Sequence, residues 1–171
     1  MFLSRVFTLY PDYFPGYLNK GLFGKSKGKE WNLEIINIRD YALDKHKTVD
    51  DTPYGGGNGM IMKADVLASS LDANVKSGEK TIYLSPRGKV FNSKLAREFS
   101  SENSINLICG HFEGVDERIL ESRNIEEISI GDFILSGGEV AAFVVIDSIL
   151  RFIPGILGNL NSSRDESFEN G

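Results

Sequence analysis

The sequence predicts an α/β domain, a mainly parallel sheet flanked by helices, and two observations carry that expectation. Short apolar runs alternate along the chain with segments of helical period, and glycines gather where those runs end. Of 18 glycines in 171 residues, eleven sit at 55–59, 110–114, 131–138 and 155–158. Glycine at a strand end lets a ligand or another stretch of backbone come close.

Val6–Leu9 and Leu33–Ile38 read as strands, the second with apolar alternation at Leu33 and Ile35. Met62–Val75 has the period of an amphipathic helix, with Val66, Leu67 and Leu71 on one stripe. Thr81–Leu84 is a buried strand that Ser85-Pro86 should end, and Asn92 or Ser93 offers the cap of a helix running to Phe99. Ile105–Cys109 is a continuous apolar strand closed by Gly110. Val115–Ser122 reads as a short helix, and Ile128–Leu135 as short extended pieces around Gly131. Glu139–Phe152 is apolar almost all round, which suits either the centre of a core or a subunit interface. Pro154 should end it. From Gly158 onward the chain is polar and without apolar period, as in a flexible linker.

Composition narrows the class. At 41% hydrophobic and 25% charged, disorder is excluded as the main state. The most apolar stretch, Val140–Ile146, is far too short to cross a bilayer, so no membrane partner is expected. Pro11 and Asp12 break the apolar N-terminus and no small-residue cleavage site follows, which argues against a secretory signal. One cysteine, Cys109, excludes an intrachain disulfide framework and a multi-cysteine zinc site, and suits a reducing cytoplasm. The net charge of −5 does not announce nucleic acid, although it leaves room for a local basic surface.

Standard motif tests are mostly negative. Gly57-x-Gly59 lacks the third glycine of a dinucleotide fingerprint, because Met62 stands there. There is no Walker P-loop. His111-Phe112-Glu113 matches half of a zinc deaminase signature whose cysteine half is absent, so no metal site is expected. Cys109 ends an apolar strand and reads as a small buried hydrophobe rather than a nucleophile. Residue chemistry alone gives a ligand-binding α/β domain with glycine-lined loops, and leaves the ligand open.

Taken together, VDDTPYGGGNGM (49–60), YLSPRGK (83–89), LICGHFEGVDER (107–118), SIGDFILSGGE (129–139) and RFIPGILGN (151–159) resemble the bacterial tRNA (guanine-N1)-methyltransferases. These act just 3′ of the anticodon, at tRNA position 37. The motifs run in order over nearly the whole chain. The resemblance implies a SPOUT-type domain with a deep trefoil knot, S-adenosylmethionine as methyl donor, a tRNA substrate, a cytoplasmic homodimer, and magnesium as an optional aid without an assignable site. It implies a cofactor-binding domain over 1–158 and an interdomain linker over 159–171, with the family's following helical domain absent.

The family's cofactor contacts fall on matching positions. Tyr83, Leu84, Ser85 and Pro86 make one wall; Gly110, Phe112 and Glu113 belong to a second loop. The third holds Ile130, Gly131, Asp132, Phe133, Ile134 and Leu135, with Gly137 and Gly138. Asp50 and Glu113 match positions tied to substrate, and Arg151 matches the arginine that stabilises charge on guanine O6. The family's base, an aspartate directly before Ser-Phe, is replaced: Glu166 stands there, with Asp165 one residue earlier, and either could take the proton. His111-Phe112 stands where the family often has Arg-Tyr, and Phe133 where it often has tyrosine. Two other readings compete: a non-catalytic nucleotide- or RNA-binding domain, and a related SPOUT enzyme that methylates a ribose 2′-hydroxyl.

Overall fold

A computed structural model describes residues 1–53, 56 and 59–157. In chain order its strands are β1 (Phe2–Thr8), β2 (Trp31–Asn37), β3 (Asp50–Asp51), β4 (Ile61–Met62), β5 (Lys80–Val90), β6 (Ser104–Cys109) and β7 (Glu126–Ser129). The helices are α1 (Gly21–Ser26), α2 (Ala64–Asn74), α3 (Ser93–Ser100), α4 (Glu117–Ser122) and α5 (Glu139–Leu150). Five strands form one sheet in the order β2-β1-β6-β5-β7, and every neighbouring pair is parallel. β3 and β4 make a separate antiparallel ladder.

Side chains of successive strand residues point to opposite faces, and each face carries its own apolar layer. Val6, Ile82, Leu84, Ile105 and Leu107 pack with α3 and α5 on one side. Phe7, Tyr83 and Ile108 pack with α2 and α4 on the other. This is why the central strands read as unbroken apolar runs. The buried Arg5 is paired within the sheet: it donates to Glu34 at 2.5 Å, to Glu79 at 2.6 Å and to Asn106 at 3.2 Å.

The predicted fold class holds, with local differences. β5 continues past Ser85-Pro86 to Val90, because pairing with β7 resumes after a break in register between Leu84 and Lys89. The expected helix after Val115 starts at Glu117, where the Asp116 side chain accepts from the Arg118 amide as an N-cap. Asn92 caps α3 in the same way, accepting from the Leu95 amide at 3.0 Å. α5 stops at Leu150, short of Phe152 and Pro154. α1 and the β3–β4 ladder are additions the pattern did not reveal. The expected linker, 159–171, lies outside the described residues.

Candidate active site

In an open parallel sheet the carboxyl ends of the strands are where connections part and a crevice forms. Here β5, β6 and β7 deliver three segments to that edge, and they enclose a cavity of about 330 Å³. Tyr83, Leu84, Ser85 and Pro86 line it from β5. Gly110, Phe112 and Glu113 line it from the loop after β6. Ile130, Gly131, Phe133, Ile134, Leu135, Gly137 and Gly138 line it from the segment between β7 and α5. Of the expected cofactor contacts only Asp132 is not part of the lining; it is exposed.

The lining also includes residues not expected as cofactor contacts: Arg87, His111, Gly114, Ile128, Ser129, Ser136 and Ala141. All but Ile128 and Ala141 adjoin named positions, so the signal was contiguity. Ala141 comes in because the first turn of α5 faces the cavity floor. Burial, and then the charge of Glu127, push the Tyr83 hydroxyl up to about 12, so it serves as a neutral hydrogen-bonding group at neutral pH. Phe112 sits in the left-handed region at φ 58°, an uncommon conformation for a non-glycine residue, and its ring stands exposed at the cavity mouth.

Behind the lining is a buried carboxylate. Glu139, first residue of α5 and 3% exposed, has both oxygens 2.8 Å from His111 Nε2. Its Oε1 also accepts from the Thr8 hydroxyl at 2.6 Å. Burial raises the Glu139 pKa, but the hydrogen bonds from His111 and Thr8 and the charge of His111 outweigh it and hold the group below the ordinary glutamate value. A lowered folded-state pKa contributes stability above the unfolded value, lost as pH falls through the ordinary carboxyl range toward the lowered one. Thermal melts of the native chain and Glu139→Gln across that acid range should therefore converge as pH falls. A gap that widened toward low pH would contradict the ionised pair.

The ladder carrying Asp50 docks on the second wall. Asp50 pairs with Met62, the Met62 amide donates to the Gly114 carbonyl at 2.9 Å, and the Glu113 amide donates to the Met60 carbonyl at 2.9 Å. β4 thus lies between the Asp50 strand and the Glu113 loop. Cys109 is fully buried, and burial followed by the charge of Glu139 pushes its thiol well up, which leaves it inert as a nucleophile. Among the described residues no group of three or more His, Cys, Asp or Glu is placed to hold a metal ion.

A family model described as "tRNA (Guanine-1)-methyltransferase TrmD" matches residues 2–171. The chain belongs to this family. It is similar to the tRNA (guanine-N(1)-)-methyltransferase of Pelagibacter ubique, 67% identical over 172 residues that cover 100% of this chain and 75% of that protein. The protein of the same name from Bartonella quintana is 54% identical, covering 99% of this chain and 73% of its own length. That from Rhizobium etli is 48% identical, covering 99% and 74%.

Arg151, the residue expected at guanine O6, is not part of the cavity lining. It caps the C-terminus of α5, whereas Gly138 at the cavity caps the N-terminus. The helix between them separates the two by roughly 20 Å at 1.5 Å per residue, beyond the reach of an arginine side chain. One chain does not bring Arg151 to its own cavity. Asp165 and Glu166 lie outside the described residues.

Proposed function

We propose that this chain transfers the methyl group of S-adenosylmethionine to N1 of the guanosine just 3′ of the tRNA anticodon, in the cytoplasm. The observation that carries the reading is the cavity itself. Three segments far apart in sequence, each bearing a family motif, meet around one space within the ~300–1,000 Å³ range of small-molecule sites. The residues fit the donor. Leu84, Ile130 and Leu135 offer an apolar slot, and the glycines at 110, 131, 137 and 138 keep its walls free of side chains. When bound, S-adenosylmethionine supplies a methyl group made electrophilic by its sulfonium.

The guanine N1 is protonated and a poor nucleophile, so a carboxylate must take its proton, and the roles of Asp165 or Glu166 follow from that need. As the proton leaves, negative charge grows on O6, where the Arg151 guanidinium would stabilise it. Asp50 and Glu113, on segments joined through β4, are assigned to the target nucleotide. Magnesium has no assigned residue in this scheme.

Because Arg151 is a helix length from the cavity of its own chain, we assign it to the cavity of a second copy in a homodimer. The outer face of α5 supports this. Val140 and Val144 are 57% and 44% exposed on the same side of the helix as Arg151. A Val144→Asp variant should keep the fold and behave as a monomer by light scattering, against about twice 19.0 kDa for the native chain. Phe143 is a poor probe, because its ring stacks on Phe14 at 4.6 Å between centroids and a charge there would disturb the chain's own core.

The SPOUT domain over 1–158 with its knot, and the linker over 159–171, belong to the same proposal. The test is a methylation assay with tRNA transcripts carrying guanosine or adenosine at the target position. Methyl transfer only to guanosine, at N1, supports the reading. Transfer to a ribose hydroxyl would favour the 2′-O-methyltransferase. A melting temperature unmoved by S-adenosylmethionine would favour a non-catalytic RNA-binding domain, since ligand binding to the folded state must raise it.

A further inference from the structure

We propose that His111 is a positioning residue for the methyl donor, locking the loop after β6 to the start of α5 through the hydrogen bond from its Nε2 to Glu139. The inference rests on reading the cavity as the S-adenosylmethionine site. His111 lines that cavity; Glu139 does not.

The donor and acceptor directions form one consistent chain. The Tyr10 amide donates to the Thr8 hydroxyl oxygen at 2.9 Å, and that hydroxyl donates its own proton to Glu139 Oε1 at 2.6 Å. An ionised Glu139 can only accept, so the His111 nitrogen 2.8 Å from both its oxygens carries a proton. Three segments thereby converge on one carboxylate: the end of β1, the loop after β6 and the first turn of α5. A buried carboxylate that loses one of its few donors is left with the full cost of its desolvation.

The last segment is shaped to the ring. A Cβ built on Gly137 would lie 2.2 Å from His111 Cε1 and 2.6 Å from Nε2, so only glycine leaves room for the imidazole there. Next to it the Gly138 amide donates to the Gly110 carbonyl at 2.9 Å. The two walls are thus joined twice, once by backbone and once by His111. On its open side the imidazole meets Tyr10, with ring centroids 4.9 Å apart, and Phe112 at 6.3 Å. The backbone tie needs only glycine; the side-chain tie needs a donor at residue 111 and an acid at 139.

Two substitutions separate the donor from the ring. His111→Gln keeps an N–H at the reach of Nε2 and discards the ring. His111→Phe keeps a ring beside Tyr10 and Gly137 and discards the donor. Titration calorimetry of the 171-residue chain with S-adenosylmethionine should find the glutamine variant within about threefold of native and the phenylalanine variant weaker by roughly tenfold or more, the usual worth of a hydrogen bond to a charged group. Glu139→Gln is nearly isosteric and carries the test independently if the phenylalanine variant does not fold; it should also weaken binding. Native-like binding by His111→Phe or by Glu139→Gln would overturn the inference, as would a glutamine variant no better than the phenylalanine one, which would make the ring the important part. A native chain that bound no S-adenosylmethionine would instead overturn the cofactor reading beneath it.

Discussion

Gly138→Val is expected to abolish S-adenosylmethionine binding and to destabilise the chain as well, whereas Gly131→Val should abolish binding with the fold kept. Both glycines line the cavity, so sequence reasoning gives them the same outcome: a branched side chain fills space meant for the donor. The surroundings separate them. A Cβ at Gly138 would lie 2.6 Å from Cys109 Cα and 2.8 Å from the Gly110 nitrogen, which are backbone atoms at the end of a core strand. To admit it, the start of α5 must move away from β6, straining the bond from the Gly138 amide to the Gly110 carbonyl. Overpacking of this kind costs ~1–3 kcal/mol, or roughly 2–10 °C in melting temperature for a chain of this size. At Gly131 the nearest atom is Phe133 Cε1 at 2.5 Å, on an exposed ring that can swing aside. Its φ of 150° adds local strain on a surface loop rather than in the core. Thermal melts and calorimetry on both variants check this. A Gly138→Val chain that melted like the native one would return that residue to a purely ligand-facing role.

Much of the fold was legible because each central strand is buried on both faces and so reads as an apolar run. Ile105–Cys109 and the outline of α5 came directly from that. The misses are non-local. Ser85-Pro86 carries real turn chemistry, and the chain does leave its register there; what brings β5 back is pairing of Lys89 and Val90 with β7, about forty residues on. β3 and β4 are two residues each and have no pattern to detect. In the site, the glycine clusters at 110–114 and 131–138 fall on the cavity walls, since close backbone approach is a property of the residue itself, whereas Gly56, Gly59 and Gly155 of the other two clusters are not in the lining. His111 was legible only as a residue standing where the family often has arginine. Its hydrogen bond joins residues 28 apart, and nothing in either segment points to the other. Likewise, the apolar wrap of α5 allowed core or interface. The helix serves the core on one side, with Ala142, Val145, Ile146 and Ile149 buried, and leaves Val140 and Val144 exposed on the other.

The largest effect on catalysis alone is expected in the linker. Whichever of Asp165 and Glu166 takes the N1 proton must come within ~3 Å of it in the complex with tRNA. Asp165→Asn and Glu166→Gln preserve shape and remove basicity, so cofactor affinity should stay unchanged in both. One of them should lose methyl transfer by roughly 10² or more, the scale of general-base loss. Glu166 is the stronger candidate, because its spacing from Arg151 matches the family without an insertion, while its extra methylene extends the reach of the carboxylate. Arg151→Ala should produce a loss of comparable size by a different route, through charge on O6 rather than removal of the proton. The two losses are distinguishable by pH: raising pH favours the N1 anion and should partly rescue the base variant, and it should do nothing for a missing cation. Single-turnover methylation with saturating donor, measured across pH on the full-length protein, reads all of these. Near-native rates in Asp165→Asn, Glu166→Gln and the double variant would remove the base from the linker and pass the proton to Glu113, which lines the cavity, or to Asp50, one strand further out.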